Sequence, residues 1–209
     1  MRPVVRWIGV SLMTLCLAGA ATDARAQTLG VQGGLNFSTL SGDDIESADH
    51  LTGWQLGGTA LLGRGRTGML TGLVLTRKGA SESGGGLSSR IALTYFQVPL
   101  LARFVLSDAG ARGSIGTHVY FGPAVALKTG CRVTASFGSG NISAPCDDPE
   151  DAEDPTTFRS TEVSAIAGFG VDFESFSLSI QYDLGLTDIA EDQSVKNRTF
   201  SLIARYLWR

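Results

Sequence analysis

The sequence predicts an all-β protein that folds as an eight-stranded antiparallel up-and-down transmembrane β-barrel. Segments of about ten residues or a little more alternate between large apolar and small or polar side chains, which is the period of a strand with two different faces. Eight such segments occur, and the connections between them alternate between long and short, as in outer-membrane barrels. The chain also ends on an alternating aromatic segment, and aromatic girdles mark membrane interfaces.

The clearest alternation lies in residues 176–186, FSLSIQYDLGL. Every second residue from Phe176 to Leu186 is large and apolar, and the residues between them are Ser177, Ser179, Gln181, Asp183 and Gly185. A soluble sandwich or a lipocalin-like barrel would bury the apolar face, whereas a membrane barrel turns it towards lipid. We predict the membrane barrel, because small polar residues suit a narrow lumen and the segments are long enough to cross a bilayer when tilted.

The first four predicted strands repeat this pattern and cover residues 28–38, 53–63, 69–79 and 91–105. The first places Leu29, Val31, Gly33, Leu35 and Phe37 on one face. The second places Leu56, Gly58, Ala60 and Leu62 together in the same way. The third carries apolar residues at both odd and even positions, so we do not assign which of its side chains face the lumen. The fourth alternates from Phe96 to Phe104 and turns Arg103 to the opposite face.

The last four predicted strands cover residues 113–128, 161–173, 176–186 and 198–208. The longest connection, residues 128–159, separates the first two of them and contains both remaining cysteines and an acidic run. We predict that the long connections lie outside the cell and that the short turns lie in the periplasm.

Residues 1–26 predict a secretory signal peptide. Arg2 and Arg6 precede an apolar run from Trp7 to Ala20, and the small-residue site ARA ends at Ala26. The apolar run is too short for a transmembrane helix, which needs about 20 residues. We therefore predict export and cleavage after Ala26, with residues 27–209 forming a barrel in the outer membrane of a Gram-negative bacterium.

Cys131 and Cys146 are the two cysteines left after cleavage. An even number in an exported chain predicts a disulfide between them. A metal site is the alternative, although no histidine lies near either cysteine. We expect neither a metal site nor a cofactor.

Several polar residues are predicted to face the lumen: Gln32, Arg103, His118, Glu162, Asp172, Gln181, Asp183 and Arg205. Buried charges need partners, so we expect Arg103 and Arg205 to pair with Glu162, Asp172 or Asp183. This network would be a static plug that keeps the barrel shut. A narrow water or ion pathway through the same residues is the alternative.

Two further patterns suggest chemistry without specifying it. His118, Ser114 and Glu162 could form a hydrolytic triad, but nothing in the local sequence brings them together. We therefore predict no catalytic residues and no enzymatic activity. The acidic run of residues 147–154 could bind Ca²⁺, yet it lacks the EF-hand pattern, and a solvated outer loop is the simpler interpretation.

Four stretches of the chain resemble the PorT-type outer-membrane β-barrel family: GVQGGLNFSTLSG, YFQVPLLARF, YFGPAVAL, and the closing LSIQYDLGLTDI with NRTFSLIARYLW. The resemblance spans nearly all of residues 27–209. It implies an eight-stranded barrel, broadly like the small OmpX-type proteins, in a Gram-negative outer membrane. The family is mostly uncharacterised, so the resemblance implies a fold and a location more than an activity.

These observations predict a small integral outer-membrane barrel with a structural or interaction role. The expected partners are outer-membrane lipid, lipopolysaccharide and another envelope protein, which would contact residues 128–159. Charged residues make up 18% of the chain and the formal net charge is −3, so no clustered basic surface for nucleic acid is expected. We expect a monomer. The alternatives are a narrow porin-like channel and, with less support, a barrel lipid hydrolase.

Overall fold

The computed structural model describes residues 27–42, 49–63, 65–84, 87–108, 115–137, 140–146, 159–188 and 195–208. The predicted signal peptide, Ser114 and the acidic run 147–154 lie outside these residues. No helix in the described part of the chain is long and apolar enough to cross a membrane. The described residues form nine strands: β1 Gln27–Gly42, β2 Asp49–Leu62, β3 Thr67–Gly84, β4 Leu87–Ser107, β5 Ile115–Phe137, β6 Gly140–Pro145, β7 Thr161–Phe173, β8 Phe176–Gly185 and β9 Val195–Leu207.

Eight of these strands close into a ring. Each pairs antiparallel with the next along the chain, β5 pairs with β7, and β1 pairs with β9 over thirteen residue pairs from Gly30–Leu207 to Gly42–Val195. Closure leaves none of the eight strands with an open edge over the paired length, as lipid requires. The prediction of an eight-stranded antiparallel up-and-down barrel is confirmed.

The apolar face of each strand points outward. Leu29, Leu56 and Phe176 are each more than half exposed, while the polar residues that alternate with them are buried. Aromatic side chains gather on this surface towards both ends: Phe37, Phe200 and Tyr182 are register neighbours on β1, β9 and β8, and the Phe176 ring packs edge-on against Tyr206. This is the surface expected of a barrel in lipid.

The third predicted strand has apolar residues on both faces because the lumen itself contains apolar clusters. Leu73 of β3 points outward, but Leu70 and Val74 are buried inside. Leu70 joins one lumen cluster with Leu101, Tyr120, Ala124 and Ile166. A second cluster, near the long-loop end, contains Leu93, Tyr95, Ala126, Cys131 and Val195.

Two predicted loops are in fact strands, which corrects the sequence analysis. Residues 80–90, between the third and fourth predicted strands, are rich in Gly and Ser and were expected to form a loop, but β3 and β4 continue through most of them and pair as far as Gly84–Leu87. Strand β5 extends to Phe137, and β6 pairs back onto it inside the expected connection 128–159. These extensions lie beyond the apolar band of the outward face, and most of their described side chains are partly or fully exposed, so no apolar alternation is required. The sequence pattern therefore does not indicate a strand in these two segments.

Candidate functional site

A buried cluster of three charges lies in the lumen towards the long-loop end, beside the apolar cluster of Leu93 and Tyr95. Lys78 Nζ lies 2.8 Å from Asp183 Oδ2 and 3.3 Å from Glu162 Oε1. Gln97 Nε2 donates to Asp183 Oδ2 at 2.9 Å, and Asn197 Nδ2 donates to Glu162 Oε2 at 2.7 Å. All five side chains are buried. The cluster links β3, β4, β7, β8 and β9 across the barrel.

Lys78 is the important residue that the sequence analysis missed. The facing of residues 69–79 was not assigned, so Lys78 was not counted among the lumen residues. One signal could have identified it: three predicted lumen carboxylates faced only two predicted arginines. Because buried carboxylates need compensation, a further cation was to be expected on a neighbouring strand.

A second charged cluster lies nearer the short-turn end. Arg103 Nη2 donates to Asp172 Oδ2, and His118 Nδ1 lies 3.0 Å from the same oxygen. Two glycines of β7 make room for the neighbouring rings: a Cβ at Gly170 would overlap the His118 imidazole, and one at Gly168 would overlap the Tyr120 ring. The structure therefore joins Arg103 to Asp172, one of its expected partners.

Arg205 has neutral partners, which corrects the expectation that it pairs with a carboxylate. Its Nε donates to Gln32 Oε1 at 3.0 Å, and Nη1 donates to Ser179 Oγ at 2.6 Å. The guanidinium also lies 5.1 Å from the centre of the Tyr120 ring, whose hydroxyl donates to Gln181 Oε1 at 3.2 Å. The register explains the difference: Arg205 is opposite Gln32 and Ser177, while Asp172 is already engaged by Arg103 and His118.

A neutral cluster centred on Asn36 completes the polar lumen. Asn36 Nδ2 donates to Thr76 Oγ1 at 2.9 Å, and its Oδ1 accepts hydrogen bonds from Gln55 Nε2 at 3.1 Å and Ser201 Oγ at 2.9 Å. The sequence analysis did not single out this cluster, which connects β1, β2, β3 and β9. Uncharged amides and hydroxyls give no charge imbalance from which to predict it.

The lumen is closed around these clusters. Each of the eight polar residues predicted to face it is at most 9% exposed. A cavity of about 10 Å³ lies between the clusters, lined in part by Gln32, Gln97, Gln181 and Arg205. That volume suits about one water molecule. In this conformation the network fills the barrel, an arrangement that favours a plug over a conducting pathway.

The geometry does not assemble the possible hydrolytic triad. His118 is bound to Asp172, whereas Glu162 is engaged by Lys78 and Asn197. The His118 ring is 2% exposed, so a substrate has no access to it in this conformation. Within the described ranges, no three histidine, cysteine, aspartate or glutamate side chains are grouped to hold a metal ion.

A disulfide joins Cys131 and Cys146, as predicted, with 5.2 Å between the Cα atoms. Cys131 belongs to β5 and packs in the apolar cluster with Leu93 and Tyr95, while Cys146 directly follows β6. The bond thus ties the end of the β6 hairpin to the top of the barrel.

The family of outer membrane protein beta-barrel domains matches residues 22–191. This chain belongs to that family. With the ring-closed fold, membership places the protein in the outer membrane of a Gram-negative bacterium. In outer-membrane barrels the short turns lie in the periplasm, so we expect the β3–β6 extensions at the outer end.

Three solved structures resemble the chain at low sequence identity. The attachment invasion locus protein Ail of Yersinia pestis is 14% identical, with a TM-score of 0.42, over 88% of this chain and 99% of that one. Neisserial surface protein A is 13% identical, with a TM-score of 0.48, over 85% and 96%. The outer membrane enzyme PagL is 14% identical, with a TM-score of 0.32, over 87% and 99%. No curated protein sequence matches this chain.

Proposed function

We propose that this protein is a closed structural barrel that presents an interaction surface at the outer end. The observation that carries the proposal is the filled lumen, in which Lys78, Glu162 and Asp183 are buried and mutually compensated. A barrel stabilised in this way is a rigid platform. Binding on such platforms usually resides in the segments that project from them.

The projecting segment is the ribbon formed by β6 and the end of β5, residues 131–146. All six residues of β6 are exposed, and Ile142 and Phe137 expose 67% and 50% of their surfaces to water. The disulfide and a hydrogen bond between Thr134 Oγ1 and Ser143 Oγ support its geometry. Apolar side chains on a braced, exposed strand suit contact with another envelope protein.

Two measurements test this proposal. The refolded mature protein in a planar bilayer is expected to show no regular conductance steps, with folding confirmed on the same sample by heat-modifiable gel migration. A photo-crosslinking residue at Ile142 is expected to give a discrete protein adduct in cells, while the same residue at lipid-facing Leu178 gives none. Regular conductance steps that change on replacing Arg103 or Arg205 would instead support a channel.

Three narrower statements belong to the same proposal. The protein is a monomer, since the ring satisfies its own strand edges, and its mass in detergent tests this. It contacts lipopolysaccharide as its surrounding lipid.

It is a PorT-type barrel, an assignment supported by the four sequence stretches described above. A profile of PorT-type sequences that scores this chain no better than other small barrels would remove that assignment.

A further inference from the structure

Three arginines lie together on the outward face of the barrel at its outer end. Arg77 of β3 is opposite Thr94, Arg132 of β5 is opposite Ala92, and Arg90 of β4 precedes Ala92 by two residues. Because Leu93 and Tyr95 are buried in the lumen cluster, alternation along β4 directs Ala92, Thr94 and Arg90 outward. The three arginines therefore surround Ala92 on adjacent strands.

The three side chains form a compact basic surface, which we call the arginine triad. Arg90 and Arg132 are diagonal neighbours across one strand pair, roughly 7–8 Å apart. Arg77 and Arg132 are two strands and two residues apart, about 12 Å between Cα atoms. Arg77 and Arg90 are one strand and four residues apart, about 14 Å between Cα atoms, and all three separations are within the combined reach of two extended arginine side chains. All three guanidinium groups can therefore approach one ligand.

Ala92 lies between the members of the triad and is buried although it is on the outward face. Only 4% of Ala92 is exposed, although it lies on the outward face, and its partner on β3 is Gly79, which has no side chain. The long side chains that flank it are those of the triad. Arginine alkyl stems commonly lie along apolar surface while the guanidinium group stays in water, and the burial of Ala92 is consistent with that placement.

No acidic residue is a direct register partner of the triad among the described strand pairs; Asp49 of β2 is the next residue along the row, beyond Ser81. The register neighbours of the triad on the outward face are Gly79, Ser81, Thr94, Gly130 and Thr134. No ion pair to Arg77, Arg90 or Arg132 occurs among the described side chains. This separates the triad from the lumen cations, whose partners are inside the barrel.

The position of the triad relative to the apolar band indicates its ligand. Phe96 and Leu127 are register partners on the same outward face and are exposed to lipid. Ala92 is four residues further along β4, roughly 13 Å along the strand, which at the usual tilt of barrel strands is about 10 Å towards the outer end. That offset reaches from the hydrocarbon edge into the headgroup layer of a bilayer, where the anionic groups of outer-leaflet lipids lie.

We infer that the arginine triad is a binding site for a phosphate group of an outer-leaflet glycolipid of the lipopolysaccharide class. Guanidinium groups bind phosphate oxygens through paired, charge-assisted hydrogen bonds, and three of them match a group with several acceptor oxygens. The acyl chains of the same lipid would lie against the apolar surface that contains Phe96 and Leu127. This site lies outside the lumen, shares only Arg132 with the ribbon, and rests on the lipopolysaccharide contact proposed above.

Binding of lipopolysaccharide to the refolded mature protein tests the site. The variant Arg77→Gln/Arg90→Gln/Arg132→Gln is expected to bind intact lipopolysaccharide roughly tenfold more weakly or worse. Two single variants at other exposed arginines serve as controls for the loss of a surface arginine elsewhere: Arg198→Gln on the outward face of β9 and Arg66→Gln at the β2–β3 turn. Both are expected to bind as the wild type does, and heat-modifiable migration establishes that every variant is folded.

Two further binding measurements identify the source of the phosphate. Lipopolysaccharide from which the phosphates have been removed is expected to bind the wild type as weakly as the intact lipid binds the triple variant. Inorganic phosphate at millimolar concentration is expected to leave lipid binding unchanged. A triple variant that binds like the wild type, equal binding of dephosphorylated lipid, or full displacement by inorganic phosphate would each overturn the proposal.

Discussion

The ammonium group of Lys78 lies 2.8 Å from Asp183 Oδ2, at a position where both side chains are almost completely buried. Glu162 approaches the same ammonium from the other side at 3.3 Å. One cation thus serves two carboxylates from different strands. The integrity of the lumen therefore depends more on Lys78 than on any single acidic residue.

Replacing Lys78 with methionine is expected to destabilise the barrel by roughly 3–5 kcal/mol, the usual cost of leaving a buried charge without its partner. Methionine preserves much of the side-chain volume, so the loss is mainly electrostatic. Urea unfolding in lipid vesicles measures the change in free energy. The triple variant Lys78→Met/Glu162→Gln/Asp183→Asn should recover part of the loss. A change below about 1 kcal/mol in Lys78→Met would contradict the proposed role.

Gly168 is expected to tolerate no side chain because its Cβ would overlap the Tyr120 ring. That ring is held by the hydrogen bond of its hydroxyl to Gln181 and by the Arg205 guanidinium. Gly168→Ala should therefore cost roughly 1–3 kcal/mol, as overpacking does elsewhere. Gly58→Ala is the matched control, since a Cβ there meets no atom within 4 Å. Equal unfolding free energies for the two variants would refute this account.

Removal of the disulfide is expected to loosen the ribbon while the barrel keeps its fold. The bond closes a segment with a sequence separation of 15, which in the chain-entropy model corresponds to about 3 kcal/mol. In Cys131→Ala/Cys146→Ala the eight-stranded ring retains its strand pairs, so heat-modifiable migration should persist. Limited proteolysis should then cut within residues 131–146, whereas the oxidised protein resists. A variant that fails to insert would show that the bond also supports the barrel.

The protein is expected to release no fatty acid from phospholipid or lipopolysaccharide. His118 is bound to Asp172 inside the lumen and is closed off from substrate. The wild type and His118→Ala should therefore give the same background in a fatty-acid release assay. Activity that disappears in His118→Ala, with the variant still folded, would revive the hydrolase alternative.

The alternating segments predicted the fold well because the membrane imposes a strict rule on them. In residues 176–186 each lipid-facing position is large and apolar, and the polar positions between them are buried as expected. The alternation of apolar and polar residues is lost where the strands no longer contact lipid. Beyond the bilayer, β3, β4 and β5 continue with small and polar residues, and β6 forms with no apolar alternation.

The alternation along each strand predicted which residues face the lumen, but it did not predict their hydrogen-bond and ion-pair partners. Whether a residue is at an odd or even position along its strand determines which face its side chain occupies. Which side chains meet across the lumen depends on the shear of the barrel, because the shear sets the relative height of distant strands. Lys78 and Asp183 are 105 residues apart in sequence and meet only because β3 and β8 face each other across the lumen. Arg205 likewise donates hydrogen bonds to Gln32 and Ser179, where the sequence analysis expected a carboxylate.

The pairing of β1 with β9 joins the first described strand to the last. The contact with the greatest sequence separation is thus also the one that removes both open edges, so folding cannot finish until the final strand has left the secretion machinery. Chains shortened by even this one strand would retain two unpaired edges in the envelope. Such products are natural targets for periplasmic chaperones and proteases, so the topology itself distinguishes complete chains from incomplete ones.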